Sequence, residues 1–411
     1  MIDYDAMISY RGLNRIGEDR IWDGILAAYG EIALKSDRVR SRFVSKLKDN
    51  ISEAFKTRGF NVRVKHRWSR ILVDNIDDID AGCRIASRIF GLKYIAPYKY
   101  VDLDDLESFI RSNVSILLDG AKSFAVRVRR TGIHSFTSRD IESRIGGIVK
   151  ASSNLKVNLD NPDRTIHIEI HDDECYVYTE RIDAPGGLPL GTSSRIVSLV
   201  SGGIDSPVAT WLMMKRGCPA TILFAYFPLG GDESDLRRFL AVVRILRDWH
   251  IGEEMKIYSY RHDYALKEIR RVADSYTCVL CRRMMYRVAC RVAEMEGAKA
   301  IVTGENLAQV ASQTLDNLYA IDEASTLPVL RPLIGLEKED SMRIARMIGT
   351  YEASITPVSS GCRPIKGCWA KPGKPTTKAV LDRVRELESM IDVERLVDEA
   401  LSSLKDISSL L

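Results

Sequence analysis

The spacing of apolar residues changes character near residue 190. Before it, Ile25-Leu-Ala-Ala-Tyr29 is a short apolar run closed by Gly30, the mark of a strand. Val39, Phe43, Leu47, Ile51 and Phe55 fall at steps of four, which puts them on one face of a helix over 38–55. Gly59 ends that helix, and Val62 with Val64, then Ile71-Leu-Val73, predict two strands. A helix over 79–90, closed by Gly91, follows. Strand, helix, strand, strand, helix is most of a ferredoxin-like α+β unit. A second unit repeats the mixture. It has a helix over 106–118, a strand of alternating pattern over 124–128 and a helix over 138–151 with Ser138 as N-cap and Glu142 further into its first turns. Strands over 165–170 and 175–179 complete it. Ala184-Pro-Gly-Gly-Leu-Pro-Leu-Gly191 is a linker by composition.

Beyond the linker the strands lose their alternation. Arg195 to Val200 is a continuous β-rich run, as expected of a strand buried on both faces. A glycine loop, a helix over 206–216, a strand over 220–226, a helix over 236–250, a strand over 255–260, a helix over 282–296 and a strand over 300–303 follow. Strands alternating with helices predict a doubly wound α/β domain with a parallel sheet. The chain closes on an amphipathic helical stretch, 377–411.

Composition adds little until it is mapped. At 411 residues the chain has room for about two to four domains, and 45% hydrophobic residues are ordinary for a globular protein. Lys and Arg number 60 against 56 Asp and Glu, a net charge of only +4. The positive charge is nonetheless clustered in the first half: Lys35, Arg38, Arg40, Arg42, Lys46 and Lys48; Arg58, Arg63, Lys65, His66, Arg67 and Arg70; Arg127, Arg129, Arg130, Arg139 and Arg144. Such clustering suits a phosphate backbone, although each cluster alone also suits a solvated face. No apolar run is long enough to span a membrane and the first residues do not read as a secretory signal, so a cytoplasmic location is expected. In a reducing compartment, close pairs among the eight cysteines point to metal or redox chemistry rather than to disulfides.

The glycine loop carries the sharpest signal. Ser201-Gly202-Gly203-Ile204-Asp205-Ser206 joins a buried strand to a helix. Glycines let backbone approach an anion, and the helix N-terminus offers free N–H groups and positive dipole. Ser201 and Ser206 are further donors, whereas Asp205 beside phosphate makes sense with Mg²⁺ between them. The loop is neither a Walker A motif nor a dinucleotide fingerprint.

Ser-Gly-Gly-x-Asp-Ser resembles the signature of the PP-loop ATP pyrophosphatases, which adenylate a substrate and release pyrophosphate. Within them the chain resembles the ThiI family of tRNA 4-thiouridine synthetases. Tyr29-Gly-Glu-Ile-Ala-Leu-Lys35, Gly187-Leu-Pro-Leu-Gly-Thr192, Thr303-Gly-Glu-Asn-Leu-Ala-Gln-Val-Ala-Ser-Gln-Thr314 and Leu330-Arg-Pro-Leu-Ile334 carry the likeness, from about residue 25 to about residue 380. The resemblance implies an N-terminal extension (1–24), a ferredoxin-like domain (25–76), a tRNA-binding THUMP domain (77–182) and a catalytic domain (183–411) of the PP-loop, adenine nucleotide alpha hydrolase type. It implies ATP contacts at Leu199, Val200, Ser201, Gly202, Gly203, Asp205, Ser206, Phe224, Ala225, Arg282, Gly304 and Gln313. Asp205 and Lys338 would be catalytic, the lysine offsetting charge on the α-phosphate. Tyr226-Phe-Pro-Leu-Gly-Gly231 departs from several family versions.

Cys278-Val-Leu-Cys281, ahead of an Arg-rich helix, can share a metal or form a disulfide. Archaeal relatives combine this pair with a distant third Cys to hold an iron–sulfur cluster, of 4Fe-4S or 3Fe-4S type. Cys362 and Cys368 compete for that place and for the catalytic role. Cys368 stands seven residues before Pro375-Thr-Thr-Lys-Ala379, the family spacing, and is preferred. Cys83, Cys175, Cys218 and Cys290 read as buried thiols. Longer bacterial members carry a C-terminal rhodanese domain; only about thirty residues follow Ala379, so the shorter archaeal type is expected.

The function implied is ATP-dependent sulfur transfer to uridine at position 8 of tRNA, with sulfide or a persulfide carrier as donor and a homodimer as the common assembly. Two rivals are a PP-loop ligase or amidotransferase on a small metabolite, opposed by the basic first half, and a non-catalytic tRNA-binding protein, opposed by the intact loop and Lys338.

Overall fold

The computed structural model describes residues 21–227, 233–356 and 368–411, in two units that divide at residue 189. The first unit contains β1 (Gly24–Tyr29), α1 (Asp37–Lys56), β2 (Arg63–Arg67), β3 (Arg70–Asp74), α2 (Ile79–Ala86), β4 (Leu92–Asp102), α3 (Leu106–Leu117), β5 (Ser123–Thr131), α4 (Ser138–Ser152), β6 (Lys156–Val157), β7 (Arg164–His171), β8 (Glu174–Tyr178) and β9 (Ile182–Asp183). The strands form one sheet in the order β2-β3-β1-β4-β8-β7-β5-β6, with β9 also on β4. Helix α1 forms because Phe43, Leu47, Ile51 and Phe55 make a single buried stripe.

Strand β4 is absent from the apolar pattern, and Pro97 is the reason: a proline lacks the N–H that a central strand needs. The structure accommodates it at a gap. On one edge residues 92–98 of β4 pair with β1, Ile25 opposite Pro97. On the other, residues 94–95 pair with β9 and 99–102 with β8. Tyr98 O accepts from Asp23 N–H on the β1 side at 2.9 Å, so Pro97 faces the other edge, where no partner strand runs among the described residues. Two smaller expectations are corrected. The cap of α4 is Thr137, whose Oγ1 accepts from Asp140 N–H while Asp140 accepts in return; Glu142 instead accepts from Val128 N–H at 2.9 Å. Helix α2 ends at Ala86, short of the expected residue 90.

Arg70 is the third correction. It belongs to the second basic cluster, yet it is buried and its Nη2 lies 2.9 Å from Glu169 Oε1. Tyr178 O–H donates to the same oxygen at 3.0 Å, and Trp68 stacks on His171 at 3.8 Å. Burial alone would raise the Glu169 pKa, but His171, Arg70 and Tyr178 outweigh it and hold the carboxyl at about 2. This arginine ties β3 to β7 and is not available to a nucleic acid.

The second unit contains β10 (Ile196–Leu199), α5 (Asp205–Met214), β11 (Ala220–Tyr226), α6 (Glu233–Trp249), β12 (Ile257–Arg261), α7 (Asp263–Ala273), α8 (Thr277–Glu296), β13 (Ile301–Val302), α9 (Leu315–Asp322), β14 (Val329–Leu330), α10 (Lys338–Ile348), α11 (Thr350–Ile355), α12 (Leu381–Glu388), α13 (Val393–Ser402) and β15 (Lys405–Asp406). Strand order is β14-β13-β10-β11-β12-β15, parallel except for β15, which joins β12 antiparallel. This is the doubly wound sheet the sequence predicts. The expected C-terminal helical stretch is two helices and a short edge strand. Among the described residues no helix is long and apolar enough to cross a membrane.

Candidate functional site

The loop after β10 turns at the C-terminal edge of the parallel sheet, where doubly wound folds bind ligands. Its serines close it internally. Ser206 Oγ accepts from Ser201 N–H at 2.9 Å, and Ser201 Oγ accepts from Gly203 N–H at 3.3 Å. The hydroxyls expected to serve an anion are thus first of all braces for the loop. Gly304, after β13, abuts this turn so closely that a β-carbon there would lie 2.5 Å from Ser206 N and 2.7 Å from Asp205 C. Only glycine lets the two segments meet.

A cavity of about 600 Å³ opens over this edge. Leu199, Val200, Ser201, Gly202, Gly203, Asp205, Ser206, Phe224, Ala225, Arg282, Gly304 and Gln313, the nucleotide-binding set expected from the sequence, all line it. Gln313 Oε1 is buried with no hydrogen-bond partner among the described residues, so it is an acceptor on offer. Cys278, Cys281 and Cys368 line the same cavity.

Asp205 lies in the first turn of α5 and Lys338 in the first turn of α10. Lys338 Nζ is 2.7 Å from both carboxylate oxygens, and Gln309 Nε2 donates to Oδ2 at 3.3 Å. Lys338 therefore reaches the cavity through Asp205. Arg282 is likewise engaged, by a residue the sequence reading overlooked. Glu305 is buried and takes an ion pair from Arg282, another from Arg331 Nε at 2.6 Å, and hydrogen bonds from Tyr286 O–H at 2.8 Å and Thr303 Oγ1 at 3.0 Å. Burial would raise its pKa, but the two guanidiniums win and lower it. Its signal was present, since Glu305 lies in the Thr-Gly-Glu-Asn motif and Arg331 in Leu-Arg-Pro-Leu.

The cysteine pair does not precede the Arg-rich helix, as expected, but begins it. Cys278 sits in the first turn of α8 and Cys281 opens the second, three residues apart and so on one face. Thr277 Oγ1 braces this turn by donating to Asp274 O at 2.6 Å. The helix dipole favours thiolate here, but burial and the nearby Cys368 raise both thiols. Cys281 Sγ also lies 3.3 Å from Nε2 of the fully buried His262, whose pKa burial lowers to about 4.

Cys368 reaches the pair through a tether. Asn317, fully buried in α9, donates to Thr376 O and Ala311 O, both at 2.8 Å, and accepts from Ala379 N–H at 2.9 Å. Thr314 Oγ1 donates to Thr377 O at 2.7 Å, and Thr376 N–H donates to Ser275 O at 2.9 Å, just ahead of the Cys278 turn. The Pro375–Ala379 segment is thereby sewn to both neighbours. Cys362 lies outside the described residues. Among the described residues no three His, Cys, Asp or Glu side chains converge on a single ion position.

A family model described as thiamine biosynthesis protein (ThiI) matches residues 191–393, a THUMP domain model matches 100–180 and a ThiI ferredoxin-like domain model matches 24–96. The chain is 39% identical over 387 residues to a probable tRNA sulfurtransferase of Methanothermobacter thermautotrophicus, covering 92% of this chain and 96% of that one. A counterpart in Methanosarcina mazei is 35% identical, with 95% and 97% covered. A crystal structure of a 4-thiouridine synthetase–RNA complex with bound ATP superposes with a TM-score of 0.83 at 30% identity, over 93% of this chain and 98% of that one.

Proposed function

The chain belongs to the ThiI family of tRNA sulfurtransferases, and we propose that it uses ATP to convert a tRNA uridine, the one at position 8 in the family, into 4-thiouridine. Uridine O4 attacks the α-phosphorus and pyrophosphate leaves. Sulfur then attacks C4, the C4–O4 bond breaks, and AMP departs with the oxygen. The observation that carries this reading is the shared cavity, where a phosphate-binding loop and three cysteines face one space.

Each residue has a role in it. The loop N–H groups and the α5 N-terminus hold phosphate. Asp205 offers a hard oxygen ligand, and Mg²⁺ characteristically takes one or two carboxylates together with substrate phosphates. Lys338 orients that carboxylate and offsets charge as the α-phosphate becomes five-coordinate. Arg282, steered by Glu305, lines the cavity beside the cysteines.

Cys278, Cys281 and Cys368 are the residues that would hold an iron–sulfur cluster. The donor set fits: a cluster spreads its thiolates over separate irons, so they need not converge as ligands of one ion must. A cluster held by these three thiolates would supply a binding place for the sulfur that is transferred. The sulfur comes from sulfide, or from a persulfide carrier whose outer sulfur is released as sulfide by a thiol reductant that is oxidised to a disulfide. The tRNA is gripped by residues 25–76 and 77–182, whose exposed Arg58, Arg63, Arg67, Arg129 and Arg139 face solvent. A homodimer acting in the cytoplasm, where thiols stay reduced, completes the reading.

The test incubates purified, iron-loaded protein with ATP, sulfide and unmodified tRNA and follows thiouridine absorbance. Thiouridine should form only with all three substrates; none forming with iron and ATP both bound would overturn the assignment.

A further inference from the structure

Arg238, on α6, is a cation at the nucleotide loop to which neither the sequence motifs nor the reaction above gives a task. Its aliphatic stem lies flat on Gly202. A β-carbon at residue 202 would stand 2.9 Å from Arg238 Cγ and 3.0 Å from its Cβ and Cδ, so the second residue of the loop must be glycine for this arginine to fit. The neighbouring Phe239 stacks on Phe224 at 4.2 Å and 12°, which fixes the helix against the end of β11. Arg238 lines the cavity with 12% of its side chain exposed.

A charge held this far from water should be matched by an opposite one. Arg282, the other arginine on the cavity wall, obeys the rule through Glu305. Arg238 does not. Among the described residues its one ion pair is with Asp235, at 3.8 Å too long for a hydrogen bond, and its buried Nε has no hydrogen-bond partner. Lys338, on the Asp205 side of the loop, is already satisfied. Among the described residues the guanidinium at Gly202 is therefore a largely buried cation without a close complement, and it stands beside a loop built for phosphate.

We propose that Arg238 is a ligand of the triphosphate, gripping the β- and γ-phosphates that leave as pyrophosphate. A guanidinium presents a planar fork that matches two phosphate oxygens at once, and the terminal phosphates offer the most such oxygens. Lys338 and Arg238 then bracket the loop, one from α10 at Asp205 and one from α6 at Gly202. The first serves the phosphate that stays on the substrate and the second serves the group that departs. The inference rests on the ATP-dependent reading above.

The test is calorimetric titration of the full-length protein with ATP, pyrophosphate and AMP, comparing wild type with Arg238→Met and Arg238→Lys. Arg238→Met should weaken ATP and pyrophosphate about tenfold or more and leave AMP within about twofold; Arg238→Lys, which keeps the charge and the packing on Gly202, should recover part of the loss. AMP binding reports that the pocket is intact. Should Arg238→Met not bind AMP, Arg238→Lys carries the test, with ATP weakened several-fold and AMP retained. Equal weakening of ATP and AMP, or no change in ATP, would overturn the role of Arg238. Failure of the wild type to bind ATP would instead strike at the functional reading itself.

Discussion

Lys338 Nζ stands 2.7 Å from each carboxylate oxygen of Asp205, joining the first turns of α10 and α5 across 133 residues of sequence. The pair is only partly buried, with 36% and 22% of the two side chains exposed, so its worth to stability is about 0–1 kcal/mol. Its value lies in chemistry. Lys338→Ala should slow adenylation about 10²–10³-fold while moving the denaturation midpoint little. Single-turnover release of pyrophosphate, with a urea denaturation midpoint measured alongside, checks both halves. A rate near that of the wild type would remove Lys338 from the reaction.

Asn317 offers a separation of the two half-reactions. Its amide makes three bonds to backbone from a fully buried position, and two of them hold the segment that follows Cys368. Asn317→Ala strands those groups at roughly 1–3 kcal/mol each. Pyrophosphate release should persist and thiouridine formation should fall about tenfold or more, because the loop N–H groups stay in place while Cys368 loses its tether. Parallel loss of both activities would show the tether to be a general support instead.

The thiols should differ in reactivity. Burial and the neighbouring cysteines raise the pKa of Cys281, so in reduced, metal-free protein it is protonated at neutral pH; Cys368 is exposed. Iodoacetamide should label Cys368 first, with Cys281 lagging and speeding up as pH rises, as read by peptide mass spectrometry. Replacing Cys278, Cys281 or Cys368 by Ser should each cost iron after reconstitution. Full iron content in Cys368→Ser would return Cys362 to the place of third ligand.

Acid sensitivity has a local source in the first unit. Glu169 is held at about 2, below the ordinary glutamate value of about 4.3. A depressed carboxyl contributes stability that is fully present above about pH 4.3 and lost as pH falls toward about 2. The window is worth about 2–3 kcal/mol by linkage. Urea midpoints measured from about pH 6 to about pH 3 should fall, and Arg70→Met should start lower and fall less. An unchanged pH slope in that variant would detach Arg70 from the effect.

What the sequence disclosed and what it withheld follow one physical line. The helix of Phe43, Leu47 and Ile51, the strand of Val197 and the loop at Gly202 were legible because each is a local pattern with a fixed period or a fixed spacing. Strand β4 was not, since Pro97 forbids an ordinary central strand and only the gap between β8 and β9 permits it. Cys278 and Cys281 were found, but their place inside α8 was not, for a Cys-Val-Leu-Cys turn carries no helical periodicity of its own. Asn317 and Arg238 escaped entirely. Each matters through contacts with distant parts of the chain, and a lone Asn or Arg on a helix reads as surface until its neighbours are known. Arg70 misled in the other direction: its place in a basic cluster hid a partner 99 residues away.

One peptide bond separates Cys281 from Arg282, and both lie on the same turn of α8. The sulfur end and the nucleotide end of the site are therefore not separate modules that could be exchanged one at a time. Inserting or deleting a single residue in α8 just ahead of Cys281 would swing the two by about 100° around the helix axis together. Anyone seeking to refit this enzyme for another nucleophile has to redesign outward from Arg282 and Glu305, or else leave the helix alone and change only Cys368, which arrives from elsewhere in the chain.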